Sequence, residues 1–267
     1  MSEKHEPVIL TERRGATLWI FINREERRNA LNPDVFAGLE AAIRSAATMP
    51  DLRAVVLTGK GDKAFCAGGD LTRGTDVFTE GNTGPTGDFG RLARLVRELR
   101  VPMIARINGA CVAGGMALMS ICDLAVVADH AKFGLPEAKV GVFAMQVLVN
   151  LRKLIAPRHV NELCFTGELI DAARAKEWGI ANVVVPYAEL DDRVNAMVDR
   201  IAACSPVALE RGRWVINSME SMSFQEALTY AEAQIALASS TADAREGLAS
   251  FNERRPPAWV KATGVKA

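Results

Sequence analysis

Glu137 stands in Phe133–Gly141, FGLPEAKVG, directly after Pro136 and with Phe133, Leu135, Val140, Val142 and Phe143 around it. A carboxyl group among apolar neighbours has its pKa raised, which suits it to exchange protons near neutral pH. By residue type alone, a glutamate after a proline also reads as an ordinary solvated loop residue. Two glycine pairs add a second kind of chemistry. Gly68-Gly69 lies in Lys63–Leu71, KAFCAGGDL, and Gly114-Gly115 lies in Ile107–Asp123, INGACVAGGMALMSICD. The first N–H groups of a helix have no partner inside it, and glycine lets another molecule approach the backbone closely. Two such corners converging on one oxygen would stabilise negative charge developing there. Either pair alone also serves close packing of a helix against a strand.

The elements needed to position these groups are visible on either side of them. Apolar runs at Ala54–Thr58 and Ile104–Ile107 read as buried strands leading into the two glycine corners. Val8–Glu12 and Ala16–Asn23 read as a hairpin around Arg14-Gly15. Helical periodicity marks Pro33–Met49, with Asn32 as its cap, and Phe89–Leu99. Gly114–Ile121 reads as a helix followed by a strand over Leu124–Ala128. Residues 133–141 read as irregular. Helices are expected at Val147–Ile155, Arg158–Phe165 and Asp171–Trp178, and a short strand at Val183–Val185. Beyond Leu190 only helical patterns remain, at Val194–Ala203, Val207–Met219 and Phe224–Phe251. Strands alternating with helices predict parallel βαβ units. Thr72–Asp88, dominated by Gly, Thr, Asp and Asn, reads as a long loop beside the first corner, either a mobile lid or a passive excursion.

Four segments occurring in order, Asn23–Asn32 (NREERRNALN), Lys63–Leu71, Ile107–Asp123 and Phe133–Gly141, resemble the crotonase, or enoyl-CoA hydratase/isomerase, superfamily. The resemblance covers most of the chain and weakens after about residue 220. It implies an α/β chain with a ββα spiral core over residues 1–189. A C-terminal helical region over 190–267 would build trimers, commonly paired into hexamers. It assigns the oxyanion-binding N–H groups to Gly69 and Gly114 and the acid/base role to Glu137. It places Arg28, Ala30, Ala64, Ala67, Gly68, Asp70, Leu71, Gly115, Pro136, Gly141 and Phe251 around the acyl-CoA, Phe251 reaching a neighbouring subunit's CoA. Arg24, Arg27 and Arg28 are expected near phosphates, since guanidinium forks suit phosphate oxygens.

Two departures stand out. The second glutamate of the family would fall at position 117, which is alanine. After Gly141, where the family often has proline and glycines, this chain has Val142-Phe143-Ala144-Met145-Gln146. Bulk there reshapes the acyl end of the pocket, for instance for a branched acyl group. The resemblance therefore implies an enoyl-CoA hydratase-like lyase using one glutamate. The alternatives are a 3,2-enoyl-CoA isomerase and a non-catalytic acyl-CoA-binding homologue. No cofactor is expected beyond the CoA carried by the substrate.

The chain has 267 residues, 49% of them hydrophobic, with 32 Lys+Arg against 32 Asp+Glu. This balance argues against nucleic acid as a partner. Cys66, Cys111, Cys122, Cys164 and Cys204 are scattered and odd in number, which reads as reduced thiols. His5, His130 and His159 lack ligand-like spacing, so no metal is expected. Cys66 would need a base to act as a nucleophile, and none is apparent. The start, MSEKHEPVIL, lacks a basic segment followed by an apolar run, and no apolar run reaches spanning length, so a cytoplasmic protein away from membranes is expected.

Overall fold

The structure, a computed structural model, describes residues 6–74, 76 and 87–263. Two sheets carry the chain, and the strands alternate between them. The larger has six strands: β1 (Ile9–Arg14), β2 (Thr17–Ile22), β3 (Ala54–Gly59), β5 (Met103–Ile107), β7 (Leu124–Ala128) and β10 (Val183–Val185), adjacent in that order. β1 and β2 form an antiparallel hairpin, and every later pairing in this sheet is parallel. The smaller sheet holds β4 (Ala64–Cys66), β6 (Ala110–Val112), β8 (Lys132–Gly134) and β9 (Ile170–Asp171), with only the last pairing antiparallel. Thus β3–β4, β5–β6 and β7–β8 each step from the large sheet to the small one; a helix returns the chain to the large sheet after the first two pairs, and after β8 it passes through β9 of the small sheet before reaching β10. This is a ββα spiral.

The helices following those pairs are α2 (Asp88–Arg97), α3 (Gly114–Ser120) and α4 (Met145–Leu154), preceded by α1 (Pro33–Ala47). α1 starts where Asn32 accepts the Val35 N–H at 2.9 Å, with Pro33 in the first turn, where its missing N–H costs nothing. After β8 the chain makes a 3₁₀ turn, Pro136–Val140, where irregular structure was expected, and then enters α4 and α5 (Pro157–Thr166). Asp171 caps α6 (Ala172–Glu177) through the Arg174 N–H.

The C-terminal part comprises α7 (Leu190–Ala202), α8 (Pro206–Met219), α9 (Phe224–Ser239), α10 (Ala242–Asn252) and α11 (Ala258–Thr263). The single helix expected over Phe224–Phe251 is broken at Ser240. Thr241 restarts it by accepting the Ala244 N–H at 3.1 Å. The helix after Pro256-Pro257 was not foreseen. The long loop expected over Thr72–Asp88, lid or passive excursion, lies largely outside the described residues.

The large sheet is buried on both faces. One face, with Leu18, Ile20, Val55, Leu57, Ala105 and Val127, faces the main core; the other, with Trp19, Val56, Ile104 and Val126, is covered by Leu190, Val194 and Val198 of α7. The expected boundary at residue 190 thus falls at the start of a helix seated on the sheet. α8 is tied in as well. The Arg213 guanidinium donates to both carboxylate oxygens of Asp123 (2.9 and 3.0 Å) and to the Val96, Arg97 and Leu99 carbonyls (2.7–3.0 Å). Those carbonyls lie at and just beyond the end of α2, where helix carbonyls run short of intrahelical partners. Cys66, Cys111 and Cys164 are buried, Cys122 is partly buried and Cys204 exposed, all as free thiols. Among the described residues no helix is long and apolar enough to cross a membrane.

Candidate active site

A single cleft of about 1010 Å³ runs between the two glycine corners, the 3₁₀ turn and the start of α4. Gly69 and Gly114 both line it, as do Ala67, Leu71, Val112 and Ala113.

The aim of the Gly69 amide follows from peptide geometry. The Gly68 carbonyl accepts the Leu31 N–H at 2.8 Å, and the Asp70 N–H donates to the Leu31 carbonyl at 2.9 Å. The Gly68–Gly69 peptide is planar and trans, so its N–H points opposite to its C=O. With the carbonyl turned toward Leu31, the Gly69 N–H points away from that bond, and Gly69 itself lines the cleft.

The Gly114 amide opens α3, whose first backbone bond runs from the Ala117 N–H to the Ala113 carbonyl at 3.2 Å. The turn is set by Ala113, at φ 51 and ψ −118, a region that residues with a Cβ avoid at a cost of roughly 1–3 kcal/mol. Its N–H is pinned to the Gly134 carbonyl at 2.9 Å. Among the described residues neither the Gly69 nor the Gly114 amide has a partner within the chain. The two corners also touch. A Cβ on Gly68 would lie 2.8 Å from the Ala113 Cβ and 3.5 Å from the Gly114 nitrogen, and Gly68 itself sits at φ +99. Only glycine fits there on both counts.

Glu137 lies in the first turn of the 3₁₀ segment, half-buried, with its Oε2 sealed from solvent and lacking a hydrogen-bond partner. Burial pushes its carboxyl above the ordinary carboxylate range, opposed only by its own backbone N–H. α5 packs against this turn, and the Cys164 thiol is raised by burial and by the Glu137 charge. Ala117 and Glu137 line the same cleft, which at position 117 carries a methyl group and no second carboxyl. Val142, Phe143, Ala144, Met145 and Gln146 all line it too, with Phe36. The segment that departs from the family pattern therefore does face the pocket.

Of the sequence-predicted residues, Gly69, Gly114, Glu137, Ala67, Leu71, Pro136 and Gly141 meet on the cleft wall. The others stand behind or away from it. Ala64 is buried, its carbonyl accepting from the Asn29 and Asn108 side-chain amides at 2.7 and 3.1 Å. Gly115 is buried against the Cys66 carbonyl, and Gly68 is the hinge described above. The Ala30 carbonyl accepts from Arg24 at 2.6 Å, and the Arg28 carbonyl accepts the Ala67 N–H at 3.1 Å. The Arg27 and Arg28 side chains are exposed, but Arg24 is turned inward to Asp70. The Asp70 carboxylate is engaged by that ion pair and by the Thr72 hydroxyl. Phe251 is 81% exposed on α10, outside the cleft. Cys66 is fully buried and its thiol is pushed up to about 12 by burial, so it is inert as a nucleophile. Asp88, Asp76 and Lys139 on the cleft wall carried no distinguishing sequence signal beyond their place in or beside the loop and the turn.

A ββα spiral with two unpartnered amides and a buried carboxyl on one cleft is a scaffold for enzymes that gather negative charge on a carbonyl oxygen and move a proton beside it. Comparison with known proteins agrees. The family model described as Enoyl-CoA hydratase/isomerase matches residues 12–262, and the chain belongs to that family. It is 35% identical over 260 residues to enoyl-CoA hydratase EchA19 of Mycobacterium tuberculosis, covering 94% of this chain and 96% of that one. It is 31% identical over 251 residues to carnitinyl-CoA dehydratase of Proteus mirabilis, covering 92% and 95%. The crystal structure of an enoyl-CoA hydratase from Mycobacterium smegmatis superposes with a TM-score of 0.87 at 31% identity, covering 95% of this chain and 99% of that one. The α/β spiral and its C-terminal helices match that fold, and the chain is a hydratase-like member of an enzyme family.

Proposed function

We propose that this enzyme adds water to a 2-enoyl-CoA, with the Gly69 and Gly114 amides holding the thioester oxygen and Glu137 moving the proton. The observation that carries the reading is the meeting of two partnerless amides and one buried carboxyl, short of a hydrogen bond, on one cleft. In the step envisaged, the Glu137 carboxylate takes a proton from water as the hydroxyl oxygen bonds to C3. The C2=C3 electron pair moves through C2 toward the thioester, leaving an enolate whose oxygen the two amides bind. The same carboxyl then returns the proton to C2. One proton and one hydroxyl enter, and nothing else is consumed. No cofactor takes part; CoA enters as part of the substrate.

Ala117 favours a second reading on the same site. With one carboxylate, Glu137 can take a proton from C2 of a 3-enoyl-CoA and return it at C4, which is 3,2-isomerisation. Supplying purified enzyme with 2-enoyl- and 3-enoyl-CoA separates the two: water uptake supports the first, double-bond migration the second. Glu137→Gln keeps the side-chain shape and removes the base. It should lower turnover roughly 10²–10⁴-fold while acyl-CoA binding changes little; turnover within a fewfold of wild type would refute the assignment.

The exposed apolar side chains of the C-terminal helices, among them Trp214, Ile216, Phe224, Ile235 and Phe251, support assembly into a homotrimer or homohexamer with Phe251 near a neighbour's CoA. A monomeric mass in sedimentation would remove that reading. A cytoplasmic location fits an enzyme acting on CoA esters.

A further inference from the structure

The Gly69 amide has no secondary structure of its own to hold it. It lies between the three-residue β4 and a 3₁₀ turn, Leu71–Arg73. What holds it is the Asn23–Leu31 segment, through the paired bonds between Leu31 and residues 68 and 70. That segment is tightly wound. Arg28 and Asn29 are consecutive left-handed residues (φ 49 and 57), the Asn29 N–H donates to the Arg24 carbonyl at 2.9 Å, and the Arg24 N–H donates to the Asn29 Oδ1 at 3.1 Å. Arg24 then reaches across with both ends of its guanidinium. Nη1 donates to the Ala30 carbonyl at 2.6 Å, and Nη2 to the Asp70 Oδ2 at 2.8 Å. The Asp70 Oδ1 accepts the Thr72 hydroxyl at 2.7 Å. The Arg24 and Asp70 side chains are only 13% and 9% exposed, so the pair is little screened by water. The Thr72 hydroxyl bond, then the Arg24 bond, hold the Asp70 carboxyl at about 2, so it stays ionised throughout the working pH range.

One guanidinium therefore grips the residues flanking both sides of the Leu31 bridge: Ala30 before Leu31 and Asp70 after Gly69. Turning the Gly68–Gly69 peptide requires breaking the Leu31 bond, and the Arg24 clasp opposes any separation of the two segments. We infer that Arg24 is a positioning residue for the reaction, fixing the aim of the Gly69 N–H by clasping Ala30 to Asp70, and not a ligand for the CoA phosphates. A Lys could meet Asp70 but not Asp70 and Ala30 together in the geometry of a planar fork. This inference rests on the reading of Gly69 as an oxyanion donor, and its test has a part independent of turnover.

The experiment compares wild type with Arg24→Met, Arg24→Lys and Asp70→Asn. Steady-state hydration of a four-carbon 2-enoyl-CoA should show kcat reduced roughly 10- to 100-fold in Arg24→Met, with KM within a few-fold, and partial recovery of kcat in Arg24→Lys. The infrared stretch of the thioester carbonyl of bound butyryl-CoA, which cannot react, should be lowered in wild type and move back toward the free value in Arg24→Met. Amide hydrogen exchange should lose protection at Leu31 and Asp70 and keep it in β3 and β5. If wild type does not turn over enoyl-CoA, the functional reading fails, while the carbonyl shift and exchange still decide the clasp. A raised KM with unchanged kcat would make Arg24 a CoA contact and overturn the inference. So would a carbonyl stretch identical to wild type. Should Arg24→Met not fold, Asp70→Asn, isosteric and still able to bond Thr72, carries the same comparison with the same outcomes.

Discussion

Replacing Gly115 by alanine puts a methyl group where there is no room for one. Gly115 is the second residue of α3 and is buried against β4. An added Cβ would land on the Cys66 carbonyl oxygen, 3.0 Å from its carbonyl carbon and 3.2 Å from the Cys66 Cβ, where ordinary contacts begin at 3.4 Å. The obstructing atoms are mostly backbone, so no side chain can swing aside. The start of α3 must lift from β4 by about 1 Å, and displacements of this size in a reacting geometry cost on the order of 10²-fold. The Gly114 amide moves with it and away from Gly69. The expected outcome is a fall in kcat of roughly 10²–10³, the range for losing one oxyanion donor. Overpacking should cost a further 1–3 kcal/mol or so of stability. Stopped-flow or steady-state hydration at saturating 2-enoyl-CoA reads the first, and thermal unfolding the second. A variant that melts lower but keeps wild-type kcat would show that the Gly114 amide does not need its present place, and the two-donor argument would fall with it.

Two further predictions follow from groups outside the glycine corners. Arg213→Met removes a buried guanidinium from the partly exposed Asp123 carboxylate and takes one donor each from the Val96, Arg97 and Leu99 carbonyls, which should cost about 1–3 kcal/mol and lower Tm by roughly 2–10 °C; calorimetry giving a change below about 0.5 kcal/mol would contradict the bonding described. The Glu137 carboxyl is raised in the folded state by burial, so its favourable protonated form is fully present below the unfolded pKa and lost as pH rises through the folded one. Glu137→Gln should therefore melt higher than wild type at neutral pH and show no such advantage at pH 4, and the acid limb of wild-type kcat/KM should lie above the ordinary carboxylate range. A wild-type acid limb at or below that range would show that the ionising group is not this one.

The central strands of the large sheet were legible because they carry five or six residues that are mostly apolar, as in Ala54–Gly59 and Met103–Ile107. The small sheet was not: β4, β6 and β8 have three residues each, too few for a pattern to separate from a turn. The run Phe224–Phe251 keeps one helical periodicity across Ser240-Thr241, and the restart is decided by a single threonine cap. Within the site, Glu137 was marked by its apolar neighbours in sequence and the glycine corners by their composition. The clasp of Arg24 with Asp70 joins residues 46 apart, and that of Arg213 with Asp123 joins residues 90 apart. Nothing local distinguishes either arginine from a solvated one; only the fold pairs them.

The seating of α7 on the large sheet has a consequence for synthesis. The last strand of that sheet ends at Val185, while the residues that cover Trp19, Val56, Ile104 and Val126 begin at Leu190. While the ribosome exit tunnel still holds that helix, the emerged chain presents a continuous oily ribbon with nothing to cover it, and such surfaces are where nascent chains associate wrongly. Premature termination anywhere before α7 therefore yields a sticky fragment for chaperones to manage, not a smaller working enzyme.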